Sequence, residues 1–215
     1  MLLNDAMARK LSRDLLRIGA VRFNAVQPFR WASGWLSPIY TDNRLTLSYP
    51  DVRRYIRTCF LEAWAQRHLE ADVIAGVATG GIAHGVLLAD ALEKPFVYVR
   101  SSPKSHGLGN QVEGRVQSGQ PVVVVEDLVS TGGSSLNAVQ ALRALGARVQ
   151  CMLAIFDYDF PQKQKRFQAE GVELLSLTNY ETCLQEALNE GHLQLQDHEI
   201  LAAWRQAPES WQPYG

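Results

Sequence analysis

No apolar run in this 215-residue chain is long enough for a bilayer, no charge dominates it, and its three cysteines stand apart. Each lack removes a class of function. No membrane-spanning helix is expected. A formal net charge of -1 supplies no general field for nucleic acid or a membrane surface, so an anionic ligand must be held by local groups. Cys59, Cys151 and Cys183 form no CxxC pair and no metal spacing. Their apolar surroundings predict free buried thiols in a reducing cytoplasm. The opening MLLNDAMARKLSRDLL carries charge throughout and lacks the apolar centre of a signal peptide, so a cytoplasmic protein is expected. Internal repeats and low-complexity tracts are missing as well.

What remains is an ordinary globular composition. Hydrophobic residues make up 47% and charged residues 20%, enough for a real core in one α/β domain with a small accessory part. Leu3, Met7, Leu11, Leu15 and Ile18 predict a helix over 3–18, stopped near Gly19. Residues 20–48 read as short strands and turns punctuated by Pro28, Gly34 and Pro38, a hood on the main body. Helical spacing resumes over 49–69. Then apolar strands at 71–78, 95–100, 122–125, 149–156 and 172–178 alternate with helical stretches, and two weaker helical segments follow Tyr180. Such alternation predicts a parallel sheet covered on both faces. Hood, core and tail are expected at 1–48, 49–180 and 181–215.

Three strand ends carry chemistry, and ligands of such sheets bind there. The first is VVVVEDLVSTGGSSL, residues 122–136. Glu126 and Asp127 cannot stay unpaired in a core. The loop from Leu128 to Ser135 offers backbone N–H groups and the hydroxyls of Ser130, Thr131 and Ser134 at the start of a helix. Gly132 and Gly133 let the backbone come close. Neither a Walker loop nor a GxGxxG fingerprint is present. Acids beside a phosphate cradle suit a ribose phosphate; a capped helix with a solvated acid pair is the competing reading.

The second end, Ala78-Thr79-Gly80-Gly81, is by itself a tight turn, and as a partner of the first it suits a ligand phosphorylated at both ends. His84, among apolar neighbours, reads as a packing residue. The third, RSSPKSHGLGNQ (100–111), is a polar connection of functional length carrying Arg100, Lys104 and His106. Gly107 and Gly109 would let it close as a lid; an ordinary surface loop is the alternative.

VVVVEDLVSTGGSS resembles the phosphoribosyl pyrophosphate (PRPP) motif of type I phosphoribosyltransferases. RSSPKSHGLGNQVEG resembles the catalytic loop of the orotate phosphoribosyltransferases, and FRWASGWLSPIYTDNRLTLS their hood. The resemblance implies the α/β type I phosphoribosyltransferase fold, a central parallel sheet flanked by helices. It also implies conversion of orotate and PRPP to orotidine 5'-monophosphate and pyrophosphate with Mg2+, held mainly through PRPP and not by direct protein ligands. Lys104, His106 and Asp127 would be catalytic. Arg100, Lys104, His106, Glu126, Asp127 and the run Leu128, Val129, Ser130, Thr131, Gly132, Gly133, Ser134 would bind PRPP. Ala78, Thr79, Gly80 and Gly81 would meet its pyrophosphate, and Ser130 would touch orotate. A homodimer sharing the catalytic loop is implied, with neither nucleic acid nor membrane as partner.

Relatives often carry basic residues where this chain has Leu36, Gly80, Ser101, Ser102 and Tyr158. Arg44 is the candidate to supply the missing charge to the orotate carboxylate. Two other readings keep the PRPP motif. One is a phosphoribosyltransferase for another base, which the WASG–SPIYTDNR hood disfavours. The other is a PRPP-sensing regulator that binds nucleic acid, which the charge balance disfavours.

Overall fold

The computed structural model describes residues 4–31, 33–102, 110–194 and 197–213. Leu11, Leu15 and Leu16 form the buried stripe of helix α1 (Asp5–Arg17), whose first turn is capped by the Asn4 side chain accepting from the Met7 N–H. Two small antiparallel ladders follow. One pairs β1 (Val21–Phe23) with β4 (Ile39–Thr41); the other pairs β2 (Phe29–Arg30) with β3 (Leu36–Ser37). A 3-10 turn over Asn43–Ser48 leads into α2 (Pro50–Gln66), which starts with Pro50 at its first position.

The main sheet is built from β5 (Val73–Val77), β6 (Phe96–Val99), β7 (Val112–Glu113), β8 (Pro121–Val129), β9 (Arg148–Asp157) and β10 (Glu173–Asn179). Its order is β10-β9-β8-β5-β6-β7, parallel except for β7, which runs against β6. Helices α3 (Gly80–Ala91), α4 (Gly133–Ala144) and α5 (Pro161–Ala169) connect the strands, and α6 (Tyr180–Asn189) and α7 (Asp197–Gln206) close the chain. Residues alternate across β8: Val123 and Val125 enter one core cluster, Val122 and Val124 the other. Both faces are thus covered, as an unbroken valine run requires.

Strand order reverses at β5: the chain steps outward to β6, then returns to lay β8 on the opposite side of β5. The crevice at the carboxyl ends of β5 and β8 lies at this switch point. Thr79 and Glu126 stand there.

Two expectations shift. Residues 5–17, assigned to the hood, form a helix packed along β10 and α6, so the cap proper begins at Val21. The tail is no appendage either. Trp204 of α7 is fully buried against Trp31, Tyr158, Phe160 and Tyr180, and its indole N–H donates to the Leu36 carbonyl at 3.1 Å. Tail and hood therefore stabilise one another through an aromatic cluster. Cys59, Cys151 and Cys183 are free and buried.

His84 is buried on α3, where its Nε2 lies 2.9 Å from the Thr46 hydroxyl. Thr46 donates its own proton to the Asn43 carbonyl at 2.5 Å, so the imidazole must be the donor to Thr46. Burial, helped by the charge of Arg53, lowers the His84 pKa from 6.5 to about 4. A base depressed in this way costs nothing above pH 6.5, and its cost grows as pH falls from 6.5 towards 4. His84→Gln keeps a donor for Thr46 without the titration. Its melting temperature is expected to fall less than the wild type's between pH 7 and about 4.5 in scanning calorimetry. Equal falls would contradict the assignment.

Candidate active site

Glu126 is only 5% exposed, yet β8 carries it into the sheet between Val125 and Asp127. Two donors meet its carboxylate: the Ser135 hydroxyl at 3.0 Å and the Asp127 backbone N–H at 3.0 Å. Asp127 in turn offers its carbonyl to the Asn43 side-chain amide at 2.6 Å, which ties the hood to the strand. Burial pushes the Glu126 pKa well above the carboxylate range, and the neighbouring Asp127 charge adds to the push. Burial raises Asp127 as well, opposed by the hydrogen bond from Glu126 and by the charge of Arg44. Both carboxyls are thus pushed towards their protonated forms, Glu126 more strongly than Asp127. Asp127 is only partly buried, so hydroxyl groups of a sugar could reach it and supply further donors.

The acids were expected at the strand end, with a loop from Leu128. β8 instead continues through Val129, whose carbonyl accepts the Tyr158 N–H at 2.9 Å. The Val129 side chain is fully buried in the second core cluster. The loop proper is Ser130-Thr131-Gly132. Gly132 caps α4 with φ +81 and offers no side-chain cap, and among the described residues no side chain accepts from the first-turn N–H groups of that helix. Those donors are available to an anion. Gly132 is required twice over: by its left-handed backbone, and because a Cβ there would stand 2.8 Å from the Phe167 ring.

The Ala78–Gly81 turn leaves β5 with a cis Ala78–Thr79 peptide, and the Ala78 N–H is bonded to the Val99 carbonyl at 2.8 Å. Thr79 caps α3 without a side-chain hydrogen bond. A side chain at Gly80 would overlap the Asp127 carboxylate, and one at Gly81 the Val125 carbonyl. Glycine at these two positions leaves that space to the Asp127 carboxylate and to the strand backbone. The Ala78–Gly81 turn and the acid pair are thus brought together.

Arg100 follows β6, its N–H bonded to the Gln111 carbonyl at 2.9 Å and its guanidinium 3.7 Å from Glu113. Ser101 and Ser102 are exposed. Lys104 and His106 lie outside the described residues.

A cavity of about 510 Å3 opens beside Ser130, under the hood. Trp31, Trp35, Tyr40 and Tyr158 give it flat apolar walls, and Arg30 gives it a cation. Such a space suits a planar, negatively charged ring. Arg44 does not line it. Its guanidinium is spent on Asp42, at 2.7 and 2.9 Å. Tyr158, at a position where relatives often carry a basic residue, is almost fully buried and donates to the Thr41 hydroxyl at 3.0 Å. The sequence reading missed Arg30, which sits in the quoted hood segment, and Ser135, the hydroxyl immediately after Ser134.

The phosphoribosyl transferase domain family matches residues 45–190. An orotate phosphoribosyltransferase of Streptococcus pneumoniae is 48% identical over 206 residues, covering 96% of this chain and 98% of that protein. One from Lactococcus lactis subsp. cremoris is 48% identical over 207 residues, covering 96% and 99%. The crystal structure of the orotate phosphoribosyltransferase from Aeropyrum pernix superposes with a TM-score of 0.73 at 33% identity, covering 82% of this chain and 97% of that one.

The buried acid pair costs stability in the empty protein. A carboxyl with a raised pKa carries no penalty below its unfolded value near 4.5, and the penalty grows as pH rises above it. Glu126→Gln can still accept from the Asp127 N–H and can donate to Ser135. It is expected to raise the melting temperature at neutral pH by about 2–4 °C, roughly 1 kcal/mol, with no gain near pH 4. Activity should fall at least about tenfold, because the amide accepts hydrogen bonds more weakly than a carboxylate. Scanning calorimetry over pH, paired with a rate measurement, checks both.

Proposed function

The chain belongs to the orotate phosphoribosyltransferase family, and we propose that it joins orotate to PRPP, giving orotidine 5'-monophosphate and pyrophosphate in pyrimidine synthesis. The observation that carries this reading is the juxtaposition at one sheet crevice of the acid pair, the open helix start after Ser130 and the aromatic cavity with Arg30.

The roles follow from charge. The bond from ribose C1 to pyrophosphate breaks, a bond from C1 to the base nitrogen forms as that nitrogen loses its proton to the departing pyrophosphate or to solvent, and positive charge develops at the sugar between. Glu126 and Asp127 accept hydrogen bonds from the ribose hydroxyls and stabilise that charge. The N–H groups after Ser130 hold the 5'-phosphate, and the Ala78–Gly81 turn meets the pyrophosphate. Ser130 and the walls of Trp31 and Tyr158 orient the base, and Arg30 is aimed at its carboxylate. The cation expected at Arg44 is thus reassigned to the arginine that lines the cavity. Arg100, Lys104 and His106 keep the roles implied by the resemblance, neutralising the leaving group and donating a hydrogen bond or a proton to it.

Mg2+ belongs to the same proposal. The ion would be held mainly through PRPP oxygens and not by direct protein ligands, since Glu126 and Asp127 are taken by the ribose hydroxyls. Bound there, the ion would neutralise diphosphate charge. A homodimer in the cytoplasm completes the reading. Helix α3 supports it, being apolar on nearly every side, with Val86 44% exposed. Light scattering at the mass of one chain would remove this part.

Orotate absorbance should fall only when PRPP and Mg2+ are both present. Arg30→Ala should raise the orotate KM about tenfold, the worth of a charge-assisted contact, and Arg44→Ala should leave it within about twofold. No turnover of orotate under these conditions would reject the reaction. The opposite ranking of the two variants would return the carboxylate to Arg44.

A further inference from the structure

Helix α5 stands against the phosphate loop, and its contacting face is formed by three residues at helical spacing, Lys163, Arg166 and Phe167. Two of them are anchors. Phe167 is buried, its ring filling the space that a side chain at residue 132 would take. Lys163 is buried too, donating to Asp157 at 2.6 Å and to Asp159 at 3.0 Å. Asp157 pairs with Val129 in the sheet register, so this ion pair fixes the helix to the strand position just before the loop.

Arg166 is left between the anchors, exposed, with Nη1 donating to the Thr131 carbonyl at 3.2 Å. The same nitrogen is 3.7 Å from where a Cβ on Gly133 would be, at the first residue of α4. A guanidinium therefore rests at the mouth of the loop, beside first-turn N–H groups that have no side-chain cap among the described residues. The need for it is electrostatic. The chain carries no general positive field, and Glu126 and Asp127 set two carboxylates close to where a phosphate would bind.

We propose that Arg166 is a further substrate-binding residue, which holds the 5'-phosphate of the phosphoribosyl ligand with the donors not used on Thr131. Its planar fork suits two phosphate oxygens, and α5, pinned by Lys163 and Phe167, presents it already positioned. This rests on the reading of the loop as a phosphate cradle and deepens it, and it does not depend on which base is used.

Binding of ribose 5-phosphate and of pyrophosphate to the full chain, each followed by calorimetry, separates the two ends of the site. Arg166→Ala should weaken ribose 5-phosphate about tenfold and leave pyrophosphate within about twofold. Arg166→Lys should recover part of the loss, and added salt should narrow the gap between wild type and Arg166→Ala. Unchanged ribose 5-phosphate binding in Arg166→Ala would overturn the proposal. So would an equal loss for both ligands, which would mean that the arginine merely props the loop. Wild-type protein that binds ribose 5-phosphate but never consumes orotate would reject the reaction and leave this test standing.

Discussion

Two carboxylates on adjacent residues of a buried parallel strand are the costly feature around which the active site is arranged. A charge removed from water destabilises the fold unless partners replace the lost solvation. Here the replacements are few: a hydroxyl from α4, one N–H of the strand itself, and the distant charge of Arg44. The shortfall pushes Glu126 towards its protonated form. A substrate whose hydroxyls complete the set would bind where the fold is least satisfied, so binding and catalysis draw on the same instability.

Several local choices make sense only with that pair in place. Glycine at 80 and 81 lets α3 begin directly against β8, with the Asp127 carboxylate lying over Gly80. Asn43 carries the hood to the Asp127 carbonyl, and the chain from His84 through Thr46 to Asn43 steadies the turn that does so. On the other side of the hood, Trp204 and Tyr158 form the floor on which Trp31 rests. The wall of the base cavity therefore depends on the last helix of the chain as well as on the hood. The open helix start after Ser130, the acid pair and the aromatic cavity are each held by a different part of the molecule, and the switch point between β5 and β8 brings them together.

Much of this was legible in the sequence. Alternating apolar and helical periods give the doubly covered sheet because burial on both faces leaves an unbroken valine run. The acid pair and its glycine loop stood out because nothing else tolerates charge at that point of a core. What was hidden depends on tertiary contact. Ser135 looked like one more hydroxyl until the helix turned it onto Glu126. Arg30 and Arg44 are cations of the same segment, and only the fold separates them, placing Arg30 in the cavity lining and pairing Arg44 with Asp42. Strand pairing with β9 carried β8 past the acids to Val129, a result that local propensity around Leu128 cannot reveal. The weak periodicity of 197–206 concealed a core tryptophan, since a single large aromatic can anchor a helix that pattern alone would discount.

The proton on the buried acid pair is the claim that most directly links the fold to the reaction. Infrared difference spectroscopy can see it as the carbonyl stretch of a protonated carboxyl. In the empty protein at neutral pH the band should be present, should vanish in Glu126→Gln, and should be lost when PRPP and Mg2+ bind. No such band in the empty protein, or a band unmoved by ligand, would contradict the account.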